Sequence, residues 1–303
     1  MEAEKTTDYQ ITVCTVNWFS AEFIEALFLN LSKKAKNAEK IQYIVIDNTN
    51  GKNQNLERLR RIALPVKIYP NDTKNQRGSF AHAMGLNLAM SKLDTEYTLF
   101  VDPDVYVFKD NWDSFCIEKI RAQGCPSIGT SYPKWQLGMY HNFPSPVFCF
   151  FRTEDYRKMN ADWTAYSQNA LINFFNFLRR QILRCCLLIT RKKYQRYEFI
   201  RRIWTKLEKV IGACSPDTGN RIARRAKQEK IKSILFQALL PDELAKDAGE
   251  ALKNIAAEFE LYSFDGEPIL THKYGTGSWV FRTSKGHDSD YWRKQIQLFE
   301  QQR

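Results

Sequence analysis

Two carboxylates one residue apart close an apolar run at Leu99-Phe100-Val101-Asp102-Pro103-Asp104-Val105. Proline fixes its own φ and pushes the residue before it towards extended backbone. In an extended chain residues i and i+2 lie on one side, so Asp102 and Asp104 can converge on one point. Paired hard oxygen donors suit Mg²⁺ or Mn²⁺, with phosphate oxygens and water completing the shell. Asp-Pro-Asp is equally turn chemistry, so the surroundings must decide. Two later stretches carry further chemistry. Ser215-Pro216-Asp217-Thr218-Gly219-Asn220 sets a carboxylate before a helix, where an N-cap is the default reading. Thr271-His272-Lys273-Tyr274 runs into Gly275-Thr276-Gly277-Ser278, small residues that permit close backbone approach to a phosphate.

The elements that would position these groups alternate. Ile11–Asn17 and Ile41–Ile46 read as β-rich buried strands, the second with Asp47 at its C-terminal end, with a weaker one at Val66–Tyr69 and a fourth at Tyr97–Val101. Between them fall helices expected at Ala21–Lys36, capped by Ser20, at Leu56–Ala63 and at Phe80–Lys92. Such alternation implies βαβ units and an α/β fold with a mostly parallel sheet, where ligands gather at the carboxyl ends of strands. Asn17, Asp47 and Asp102 all end predicted strands, and turn chemistry alone does not account for that coincidence. On the third helix, Ala81 and Gly85 would let it lie close to the sheet, and His82 reads as structural.

Here the sequence resembles the GT-A glycosyltransferases, in particular the family 2-like nucleotide-sugar enzymes. Val13–Ser20 resembles their first strand and its exit, and Val45-Ile46-Asp47-Asn48 their second-strand motif. Asn75–Asn87, with Gly78-Ser79-Phe80-Ala81, resembles the helix over the donor, although Asn87-Leu88-Ala89 departs from the usual Asn-x-Gly. Phe100-Val101-Asp102-Pro103-Asp104 resembles the DxD motif. The likeness covers residues 10–110 best. It implies a nucleotide-sugar donor, UDP- or GDP-linked, bound by Asn17, Asp47, Gly78, Asp102 and Lys273. It implies Mn²⁺ or Mg²⁺ held by Asp102, Asp104 and His272, and Asp217 as the base that deprotonates the acceptor. The family's usual Glu before that base is Pro216 here, so cap and base both stand open for Asp217. Implied is an inverting hexosyl transfer to a glycan or lipid-linked glycan, in cell-surface polysaccharide or glycolipid synthesis. The expected layout is one GT-A (Rossmann-like) domain over 8–282, with a donor half at 8–110 and an acceptor half at 111–282. Residues 283–303 would form a helical tail, and 242–259 a charged helix.

In the second half, Pro126–Gly129 and Val147–Phe151 read as strands joined by the long loop Ser131–Ser145. Loops of that length tend to be functional, and Trp135, Tyr140 and His141 are its candidates for sugar or lipid contact. A basic helical insertion is expected at about 165–212. Within 171–210, seven Arg and four Lys face Glu198 and Glu208, most of the chain's net charge of +11. Basic residues among large apolar ones suit a helix lying on an anionic membrane surface, while Arg179, Arg180 and Arg184 break the run too often for a span. No nucleic-acid motif accompanies the charge, so nucleic acid is not an expected partner. Seven irregularly spaced cysteines and a polar start imply reduced thiols and a cytoplasmic location, peripheral to a membrane through the insertion. Cys185-Cys186 reads as inert packing, with lipidation as the alternative. A nucleotidyltransferase would also use a metal site and an α/β sheet, but its Gly-rich N-terminal signature is missing. A non-enzymatic basic binder has no need of acidic residues at strand ends.

Overall fold

The computed structural model describes residues 9–167, 169–194, 197–274 and 283–303. The first third is β1 (Ile11–Asn17), α1 (Ala21–Lys34), β2 (Ile41–Asp47), β3 (Val66–Pro70), α2 (Ser79–Met90) and β4 (Tyr97–Val101). The stretch expected as a helix at Leu56–Ala63 is a short 3₁₀ segment, Gln54–Arg60. Then come β5 (Val105–Val107), α3 (Trp112–Gln123), β6 (Ser127–Thr130), β7 (Phe148–Arg152) and α4 (Thr153–Lys158). The insertion is the hairpin α5 (Ala170–Tyr194) and α6 (Glu198–Ile211). Last are α7 (Asn220–Gln228), β8 (Ile234–Leu239), α8 (Glu250–Glu258), β9 (Glu260–Phe264), β10 (Glu267–His272) and α9 (Ser289–Gln301).

Among the described residues the strands form one sheet in the order β3-β2-β1-β4-β7-β6-β8-β9-β10-β5. The first four are parallel, as the alternating pattern requires. Beyond β4 the sheet is mixed: β6 and β8 run parallel, and the other pairings are antiparallel. The class is therefore α/β as expected, with parallel order confined mainly to the N-terminal half. Every residue of β1 and β2 is buried, because helices cover both faces. Alternation along β1 sends Ile11 and Val13 towards α1 and α3, and Cys14 and Val16 towards α2. Removing such a side chain, Leu99→Ala for example, costs about 2–5 kcal/mol through lost transfer energy and the cavity left behind. Gly85 of α2 sits so close to β1 that a Cβ would stand 2.9 Å from Val16 Cγ2.

The turn between β9 and β10 is Asp265-Gly266, both at positive φ (51° and 82°). That geometry twists a two-residue hairpin correctly, and Asp-Gly is its usual sequence. The same hairpin edge accepts β5, so the chain leaves β4, turns through Asp102-Pro103-Asp104, and pairs with β10.

Residues expected as a charged helix and a tail belong to the same body. Leu252, Ile255, Phe259, Trp292 and Ile296 share a buried cluster with Phe108 and Leu261. The Trp292 indole donates to Thr271 Oγ1 at 3.2 Å. The α6 helix buries Ile200, Trp204 and Ile211 against Trp135, Leu137 and Leu183. No helix among the described residues is long and apolar enough to cross a membrane. All seven cysteines are free.

Candidate active site

A cavity of about 1200 Å³ opens at the carboxyl ends of the parallel strands. Its walls come from the exits of β1, β2 and β4, the start of α2, the Ser131–Ser145 loop, the Pro216–Thr218 turn and the β9–β10 hairpin.

The acidic turn lies in this wall as the sequence pattern anticipates. Asp102 follows the last residue of β4, and Asp104 precedes the first of β5. Register then brings in a residue from far along the chain. His272 pairs with Val105 on one side and with Glu260 on the other. Its Nε2 lies 3.2 Å from Asp104 Oδ1 and 3.8 Å from Asp102 Oδ2. Its Nδ1 lies 2.9 Å from Glu260 Oε2. Glu260 is buried and also accepts from Gln136 Nε2 and the Tyr262 hydroxyl, both at 2.8 Å. A second imidazole, His82, places Nε2 3.5 Å from Asp102 Oδ1.

These neighbours set the charges. Burial pushes the Asp102 carboxyl up; His82 and His272 pull it back, and it stays above its ordinary value. Burial acts on Asp104 in the same sense, but His272 outweighs it and holds that carboxyl low. Burial disfavours a charged His272, yet Asp104 and Glu260 hold the ring well above its ordinary value. A ring nitrogen facing two carboxylates, with the other nitrogen on a third, is the arrangement that orients a metal-binding histidine. Among the described residues no three His, Cys, Asp or Glu side chains form a ready-made metal cage. The donor set instead fits a cation that keeps water and phosphate oxygens in its shell.

Asp217 lies in the same cavity wall. Its Oδ1 accepts from the Ser79 hydroxyl at 2.6 Å and the Thr218 N–H at 2.7 Å, and its Oδ2 accepts from the Tyr132 hydroxyl at 3.1 Å. Gly219, in left-handed conformation, is the N-cap of α7, and no side chain caps that helix. Asp217 is thus held towards the cavity rather than spent on the helix end. Burial, and next the Asp217 charge, push the Tyr132 phenol well up, so it stays a donor.

Asn17 and Asp47 take positions beneath the cavity rather than in its wall. Asn17 Nδ2 donates to Asp47 Oδ1 at 2.7 Å. Asp47 also accepts from Thr49 N, Thr49 Oγ1 and Gly51 N. Asn17 Oδ1 accepts from Ser20 N and Asn53 Nδ2. Together they pin the Asn48–Asn53 loop, whose Asn48, Thr49, Asn50 and Lys52 do line the cavity. Ser20, expected to cap α1, donates to Asn17 instead and makes no side-chain cap. Gly78 lines the cavity at φ +55°, ψ −138°, a conformation that glycine adopts at low cost, and it opens α2. Lys273 is not in the wall: its backbone N–H donates to Asp104 O at 2.9 Å, and its ammonium lies 5.3 Å over the Phe23 ring. The small residues expected to approach a phosphate, Gly275 to Ser278, lie outside the described residues.

The loop candidates separate. Trp135 lines the cavity. Tyr140 lines a second cavity behind Pro216. His141 is a tether: Nδ1 meets Tyr132 O at 2.8 Å and Nε2 meets Glu208 Oε1 of α6 at 2.9 Å. His82, expected as structural, lines the main cavity. Sequence reading quoted Ser79 within the Gly78–Ala81 stretch without a role of its own, and missed Tyr132 and Glu260. Only Glu260 had a signal, the Asp-Gly hairpin that sets it opposite His272.

No family model and no curated protein matches the chain. Solved structures do share part of it. One is the mannosyltransferase PcManGT from Pyrobaculum calidifontis in complex with GDP-Man and Mn²⁺, 14% identical, covering 52% of this chain and 48% of that one, TM-score 0.42. Another is S. aureus TarS 1-349 in complex with UDP-GlcNAc, 17% identical, covering 51% of this chain and 48% of that one, TM-score 0.40. The chain thus spans about half the length of these matched proteins.

Proposed function

We propose that the chain is a metal-dependent glycosyltransferase of GT-A type that takes a sugar from a UDP- or GDP-linked donor. The observation that carries this reading is one cavity walled by Asp102, Asp104, His272 and Asp217, four groups drawn from three separate parts of the chain. Asn17 and Asp47 hold the Asn48–Asn53 loop that would receive the nucleoside, and Gly78 brings the start of α2 to the donor. Asp102, Asp104 and His272 would hold Mn²⁺ or Mg²⁺, which when bound supplies positive charge to the leaving diphosphate. Lys273 adds charge beside Asp104.

Asp217 accepts the proton of an acceptor hydroxyl as that oxygen bonds to the anomeric carbon. The bond from that carbon to the diphosphate oxygen breaks on the opposite side, so configuration inverts. Ser79 and Tyr132 fix the carboxylate for this step. The acceptor is a glycan or a lipid-linked glycan, in cell-surface polysaccharide or glycolipid synthesis. The basic insertion would bring the enzyme to the cytoplasmic face of an anionic membrane.

The test is thermal stability against a panel of nucleoside diphosphates and nucleotide sugars, with Mn²⁺, Mg²⁺ or EDTA. A ligand at about 100 times its Kd stabilises by roughly 2.7 kcal/mol. Metal-dependent stabilisation by one nucleotide, abolished in Asp102→Ala, is the expected result. Indifference to every nucleotide would overturn the reading.

A further inference from the structure

The first half of α5 is turned inside out. A helix packed on a soluble body normally sets its apolar stripe inward. Here Leu171, Phe174, Phe175, Leu178 and Ile182 are exposed. Arg179 and Arg180 face the body instead, where they help wall a cavity of about 380 Å³.

Two more arginines line that cavity from α7, Arg221 and Arg224, and Asn173, Asn176 and Asn220 add to its polar lining. Among the described residues Arg221 is the one member of this quartet paired with a carboxylate, that of Asp162. Arg179 meets the Asn176 side-chain oxygen at 3.4 Å. Arg180 Nε is buried and has no hydrogen-bond partner there. Three like charges without a carboxylate partner among the described residues disfavour one another, weakly at the exposed Arg224, and an enclosed donor without an acceptor costs stability. Both penalties are relieved by one anion with several acceptor oxygens, and guanidinium forks match phosphate geometry.

The location narrows the ligand further. Pro216 is in the wall of both cavities, so the arginine cavity adjoins the main one at the residue before Asp217. Its rim includes Ile172 and Phe177, which lead onto the exposed apolar face of α5. A phosphate seated among the arginines could therefore carry a hydrocarbon chain along that face and into a bilayer.

We infer that the arginine cavity between α5 and α7 binds the phosphate or diphosphate of a membrane-embedded lipid, with the outward face of α5 lying in the same membrane. This rests on the transferase reading for its purpose, because it would set the sugar of a lipid-linked acceptor beside Asp217. The binding itself is measurable without any turnover.

The experiment is flotation of the full chain with neutral phosphatidylcholine vesicles that carry either a polyprenyl phosphate or the matching polyprenol. Wild type binds the phosphate-bearing vesicles at least about tenfold more tightly than the alcohol-bearing ones, a contrast that needs no variant. R180Q/R224Q loses that preference. F174S/F175S, altered only on the outward face, loses vesicle binding yet is still protected from heat by soluble pyrophosphate. Equal binding to phosphate and alcohol vesicles overturns the inference, as does an R180Q/R224Q protein that keeps the preference. In the wild-type protein, protection by pyrophosphate without vesicle binding assigns the cavity to a free anion and also overturns it. The nucleotide panel is read on the same preparations. Nucleotide stabilisation without lipid binding removes this inference alone, and lipid binding without nucleotide stabilisation removes the transferase reading alone.

Discussion

Glu260 and His272 face each other across the β9–β10 hairpin, with carboxylate and imidazole 2.9 Å apart. The pairing fixes the ring so that its other nitrogen points at Asp104 and Asp102. Glu260→Gln keeps the shape and removes the charge. Metal titration of nucleotide-dependent stabilisation should give a metal affinity about 10–100-fold weaker, the usual effect of losing a carboxylate behind a ligating histidine. An unchanged titration would remove His272 from the metal set.

Asp217→Asn should lower kcat by about 10²–10⁴-fold, the contribution of a positioned general base. The donor's stabilising effect should persist, because Asp102, Asp104 and His272 are untouched. Retention of full transfer activity would return Asp217 to a structural role.

His141 gives a pH dependence with a definite sign. Burial and Lys134 oppose its charge, but Glu208, with help from the Tyr132 carbonyl, raises its pKa above the ordinary value. A raised pKa in the folded state means stability fully present below the unfolded value of about 6.5 and lost as pH rises through the folded one. Denaturant unfolding should place His141→Asn about 1 kcal/mol below wild type in mild acid. The gap should narrow as pH climbs past the raised pKa. A gap that widens with pH would contradict the ion pair.

Gly78→Ala should cost about 1–3 kcal/mol, through backbone strain alone. A Cβ there meets nothing within 4 Å, so no clash contributes. Chemical denaturation measures the loss, and a neutral result would mean that the turn before α2 relaxes.

The N-terminal half of the sheet was legible because its evidence is local. Buried β-branched runs, polar strand ends and an Asp-Pro-Asp turn all follow from neighbouring residues. The placement of Gly85 against β1 was readable for the same reason, since small residues on a helix face permit close approach. The antiparallel half was harder to see. The pairing of β8 and β9 depends on distant partners that no window reveals. Asp265-Gly266 was the overlooked signal. Ser79 and Tyr132 converge on Asp217 from residues 138 and 85 positions away, a relation that only the folded chain expresses. The inward turn of Arg179 and Arg180 was hidden for a different reason: helical periodicity shows two faces but not which one meets the body.

The pairing of β10 with β5 has a consequence for the order of assembly. More than half the chain lies between Asp104 and His272, yet their side chains touch. During synthesis the parallel strands can form early, whereas the proposed metal set needs the late hairpin to return and close a very long loop. Loop-closure entropy grows only slowly with length, so the closure is affordable, but contacts so distant in sequence form late. A nascent or truncated chain would carry the Asp102-Asp104 turn without its histidine. The contact between Asp104 and His272 is then made at the end of folding, as the last strands lock.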